Sequence, residues 1–68
     1  MTLKAIIHKE TAGGFWGEVP SLPGCYSQGE TMAELLANLR EAAQGYLAVL
    51  REEGRSPEPE VEVAELAV

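Results

Sequence analysis

Sixty-eight residues, 46 % hydrophobic and 24 % charged, with a net charge of −6, describe one small folded domain spanning residues 1–68 rather than a disordered tail. All eleven acids are glutamates, set against five Lys or Arg. That balance argues against direct nucleic-acid binding, because phosphate contacts need clustered cations, and it favours encounter with a basic partner.

A single cysteine, Cys25, and a single histidine, His8, supply neither a disulfide nor a Cys/His metal site. The opening MTLKAIIHKE carries charge inside its apolar run and no small-residue cleavage site. No apolar stretch approaches the roughly 20 residues of a bilayer span. A cytoplasmic protein with no cofactor, metal or membrane association is the expectation. A domain of this size removes only about 60 % of its unfolded surface from water. Without a disulfide, the staple such domains need is expected from self-association or a bound partner.

Thr2 to Lys9 alternates as a strand, with Leu3, Ala5 and Ile7 on one face and Lys4, Ile6 and His8 on the other. Glu10 to Gly14 reads as a hairpin loop with two glycines free to take positive φ. Phe15 to Val19 is a second strand, with Trp16 and Glu18 pointing away from Phe15, Gly17 and Val19. Pro20 interrupts the ladder. In Leu22-Pro23-Gly24 the Pro and Gly suit the two central positions of a type II turn, and Cys25 to Gln28 makes a short third strand.

Thr31 and Glu34 then form a T-x-x-E capping box, in which each side chain accepts from the other's backbone N–H. The helix it opens runs to about Glu53, where Gly54 and Pro57 stop it. Its apolar stripe is Met32, Leu35, Leu36, Leu39, Ala42, Ala43, Tyr46 and Leu50. Ser56-Pro57-Glu58-Pro59 is a stiff connector, and Glu60 to Val68 reads as a final strand. The predicted fold is α+β, two layers in βββαβ order. Its mixed four-stranded sheet has the order 3-2-1-4, with the last strand parallel to the first after a right-handed crossover.

A helix of that length spans roughly 35 Å, whereas five- or six-residue strands cover about 20 Å. The helix end carrying Leu47, Val49 and Leu50 is therefore expected to overhang. The sheet's back, without a second helix, receives Trp16, with Ile6 and Tyr26 expected beside it. Trp16, Glu18, Tyr26, Leu47 and Leu50 are the candidate partner contacts.

Catalysis is poorly supported. A magnesium nuclease needs several converging carboxylates or a phosphate, yet no Asp exists and Glu18 stands alone on its strand. His8 has no acid or nucleophile nearby in sequence and reads as a strand residue at a sheet face. Cys25 lacks a basic neighbour to lower its pKa and reads as a small packing residue. Gly45, costly inside a helix by about 1 kcal/mol, permits either close approach of another backbone or helix-on-sheet packing within the monomer, the latter favoured.

Several of these residues resemble the core motif of the HicB family of antitoxins. They are Gly14-Phe15, Glu18-Val19-Pro20, Leu22-Pro23-Gly24-Cys25, Gly29 with Thr31, and Glu34 followed by Asn38 and Glu41-Ala42. The resemblance covers about residues 2 to 66. It implies a truncated ribonuclease H-like sheet and a non-enzymatic protein that binds and neutralises a small basic HicA-type mRNA-cleaving toxin. Many HicB proteins continue into a DNA-binding domain; here no basic DNA-reading element follows the core. A single HicB-like domain without promoter binding is the expectation. The alternative is an orphan homo-oligomeric ligand- or protein-binding module of the same fold.

Overall fold

The computed structural model describes residues 1–68 as three short strands and one helix. These are β1 (Ile6–Lys9), β2 (Phe15–Glu18), β3 (Tyr26–Gly29) and α1 (Met32–Glu52). The strands form an antiparallel meander in the order β1-β2-β3. His8 lies opposite Trp16 and Ile6 opposite Glu18 across the first pair; Trp16 faces Gln28 and Glu18 faces Tyr26 across the second. Because side chains alternate along a strand, this register gathers Ile6, His8, Trp16, Glu18 and Tyr26 on one face. Ile7, Phe15 and Gly17 share the other, against which α1 packs.

The turns follow the expected chemistry. Gly13 and Gly14 take φ of 104° and 83° in the first hairpin. In the second, Cys25 N–H donates to the Leu22 carbonyl at 2.9 Å around Pro23 and Gly24, whose φ of 85° is the left-handed value a type II turn requires. Thr31 Oγ1 accepts from Glu34 N–H at 3.1 Å and so caps α1. The return bond differs from a reciprocal capping box, since Glu34 Oε1 accepts from Glu30 N–H at 3.3 Å rather than from Thr31. At the far end Gly54 N–H reaches the Arg51 carbonyl and Arg55 N–H the Leu50 carbonyl, with Gly54 at φ 68°. This is a Schellman closure.

Helix and sheet meet at glycines. A Cβ on Gly17 would stand 2.8 Å from Leu39 Cδ1, and one on Gly29 would stand 2.5 Å from Leu35 N. Both helix residues are buried and share the core with Val19, Leu22, Cys25 and Leu50. The helix does outrun the strands, at about 31 Å against about 13 Å. Its second half is nevertheless covered, because the loop between β2 and β3 extends the layer beneath it. Leu22 there is fully buried, and Tyr46 donates its hydroxyl to the Pro23 carbonyl at 2.8 Å.

The fourth strand, and with it the mixed four-stranded order 3-2-1-4, is absent. Residues 55–68 form no helix or strand. Glu58 N–H donates to the Ser21 carbonyl at 2.7 Å, and Lys4 holds Glu60 and the Val61 carbonyl; beyond that the segment from Ser56 onward makes no hydrogen bond. Pairing Glu60–Val68 would order about nine residues at about 1–2 kcal/mol each against an edge only four residues long. Its absence also changes the helix. The stripe residues Met32 and Leu36 are 40 % and 49 % exposed, and Leu36 lies beside Leu3 and Ala5 on the flank that a fourth strand would have covered.

The molecule therefore carries surplus surface. Its accessible area is 5383 Å², against about 4,200 Å² for a folded monomer of this mass. Its radius of gyration is 13.4 Å, against about 11 Å for a compact chain of this length.

The glycine seats make an internally controlled prediction for urea denaturation. Gly29→Ala is expected to lose about 1–3 kcal/mol through overpacking against helix backbone. Gly45→Ala, where an added Cβ meets nothing within 4 Å, is expected to gain up to about 1 kcal/mol from helix propensity. Equal effects at the two positions would contradict the seating. Thr31→Ala is expected to cost about 1 kcal/mol by the same assay.

Candidate protein-docking face

The sheet face opposite α1 has no covering layer, and its centre is aromatic. The rings of His8 and Trp16, paired across β1 and β2, stack with centroids 4.0 Å apart and an interplanar angle of 11°. His8 Nε2 lies 3.4 Å from Glu18 Oε2, with both side chains 40 % exposed. The imidazole nitrogen makes no aligned hydrogen bond, so the carboxylate acts as an electrostatic neighbour. Tyr26, opposite Glu18 on β3, is 68 % exposed.

Trp16, Glu18 and Tyr26 border an open hollow of about 980 Å³, closed at one end by the Pro20–Gly24 loop and flanked by Glu10. An apolar aromatic centre with an acidic margin is the anatomy of a protein-binding patch.

Of the five candidate contacts, the structure brings Trp16, Glu18 and Tyr26 together here and separates the other two. Leu50 is 5 % exposed and belongs to the core, a correction that follows from the loop closing under the helix end. Leu47 is half-buried on the opposite flank, in an apolar channel it shares with Leu3, Ala5, Leu36 and Ala43. Sequence reasoning misses that channel, because its helical residues read as core beneath a fourth strand. Gly45 is also corrected. It packs against no sheet residue but borders an open groove between α1 and β3.

No three of the His, Cys, Asp and Glu residues lie close enough together to hold a metal ion. Cys25 is buried in the core, and desolvation pushes its thiol pKa above the ordinary value. The fold thus prefers the neutral thiol. The stabilisation is complete below the unfolded-state pKa of about 8.5 and is lost as pH rises through the raised folded value. A thiol-reactive dye at pH 8 is expected to label Cys25 slowly in native protein and rapidly in urea. Equal rates would show that the side chain is not enclosed.

A covered and an open sheet face on a single-helix α+β unit define the class of domain. The chain belongs to the HicB-like antitoxins of bacterial toxin–antitoxin systems, matching that family over residues 3–68. Among curated relatives it is 41 % identical over 51 residues to UPF0150 protein Ta0767 of Thermoplasma acidophilum, covering 75 % of this chain and 74 % of that one. Among solved structures it resembles TTHA0281 from Thermus thermophilus, with a TM-score of 0.71 and 29 % identity over 90 % of this chain and 82 % of that one. It also resembles a chain of the HicA3 and HicB3 toxin-antitoxin complex, with a TM-score of 0.67 and 31 % identity over 90 % of this chain and 72 % of that one. No helix here is long and apolar enough to cross a membrane.

Proposed function

We propose that this chain is a non-enzymatic antitoxin that acts in the cytoplasm by binding a small basic HicA-type mRNA-cleaving toxin and masking it. The observation that carries the reading is the open sheet face, where the half-buried Trp16–His8 stack and the exposed Tyr26 lie between Glu10 and Glu18. The likeness to a chain of a HicA3–HicB3 complex supports a toxin as the occupant. Net charge divides the work. A surface at −6 steers a cationic partner into encounter, and the aromatic centre, once dried, supplies the slow dissociation. RNA itself is repelled by the same surface.

A second reading concerns assembly. The area surplus favours a homo-oligomer, either alongside toxin binding or, in an orphan chain, in place of it.

The test is an RNA-cleavage assay with a HicA-type toxin. Cleavage is expected to stop near one equivalent of this chain. Trp16→Ala is expected to weaken inhibition by about thirtyfold or more, the effect of losing a central aromatic anchor worth about 2 kcal/mol. Undiminished cleavage at excess chain would overturn the antitoxin reading. Unchanged inhibition by Trp16→Ala would move the interface elsewhere.

A further inference from the structure

We infer that the hollow on the sheet face is an arginine subsite. The guanidinium of one arginine of a basic partner stacks on Trp16 and donates to the carboxylate of Glu18, while Glu10 adds its charge from the other side. The inference names the part of the partner that the face reads, and it rests on the docking reading proposed above.

Strand register lays out the site. Trp16 and Glu18 alternate onto one face of β2, and Tyr26 lies directly opposite Glu18 on β3. Glu10 lies past Trp16 on the side away from Glu18, because it follows His8 on the same face and His8 is paired with Trp16. The indole is thus set between two carboxylates, and Glu10, Trp16, Glu18 and Tyr26 all border the same hollow of about 980 Å³. His8 does not border it. The imidazole backs the indole from the β1 side, with centroids 4.0 Å apart, and leaves the side toward β3 to the hollow.

The groups facing that space suit a planar cation. No Lys or Arg lines the hollow, and none pairs with either carboxylate. Glu18 Oε2 meets only His8 Nε2, at 3.4 Å and without an aligned hydrogen bond, so its acceptor sites stay open. An apolar side chain is the poorer occupant, since covering the face would dry two carboxylates without a partner. An ammonium answers the charge alone. A guanidinium also stacks on an indole and offers paired N–H donors to a single carboxylate. Its methylene stem has Pro20 and Pro23 to lie on at the closed end of the hollow.

Two-dimensional NMR of the isotope-labelled full chain, titrated with N-acetyl-arginine amide, tests the subsite without any toxin. The indole N–H of Trp16, the only tryptophan, is expected to shift saturably with a millimolar Kd. N-acetyl-lysine amide is expected to bind about threefold more weakly or worse. N-acetyl-citrulline amide, planar but uncharged, is expected to leave the signal in place. Glu18→Gln, at a side chain 40 % exposed and outside the core, is expected to weaken arginine binding by about threefold with the backbone signals of α1 unmoved. An indole signal that ignores arginine, answers equally to lysine or citrulline, or answers equally in Glu18→Gln would overturn the subsite. Such a failure leaves the antitoxin reading standing, because toxin inhibition is read in a separate assay. Arginine-selective binding by a chain that inhibits no toxin would keep the subsite and remove the antitoxin reading instead.

Discussion

The close seating of α1 on Gly17 and Gly29 is the constraint from which the rest of the molecule follows. Two missing Cβ atoms let Leu39 and Leu35 come down onto the sheet, and that contact fixes both the height and the direction of the helix. A single helix so placed covers one face of a three-stranded sheet. It leaves the other face bare and, with no fourth strand beneath it, one of its own flanks as well. Both open surfaces are consequences of the seating, because no second layer is available to hide them.

The two surfaces differ in chemistry in a way that suits different occupants. The sheet back is aromatic with acidic margins, and a cationic partner gains from both parts of it. The channel flank is aliphatic, with Arg40 the one charged side chain in its lining.

Much of this is legible in the sequence, for identifiable reasons. Turn chemistry at Gly13-Gly14 and Pro23-Gly24, the Thr31 cap and the Gly54 stop are local signals, and the elements they bound form close to where expected, except that β1 begins at Ile6 rather than at Thr2. Period-two alternation places Trp16, Glu18 and Tyr26 on one face. What the sequence conceals is non-local. Glu60–Val68 has strand-like composition, but pairing depends on whether a four-residue edge offsets the entropy of ordering it. Leu50 looks like part of an overhanging end because nothing local reveals that Leu22 folds beneath it. Gly45 looks like a packing glycine, whereas the close helix–sheet contacts fall at Gly17 and Gly29 on the strands. The channel stays hidden because Leu36 fits the core stripe unless the missing strand is known.

On the proposed reading, the open sheet face is where the chain meets a HicA-type toxin. Trp16, the only tryptophan, reports on that face directly. Titrating the chain with a HicA-type toxin that lacks tryptophan should shift the Trp16 emission to shorter wavelength and saturate at a fixed stoichiometry, as the hollow is dried by the partner. Tight binding with unchanged Trp16 emission would contradict the account, and so would no binding at all.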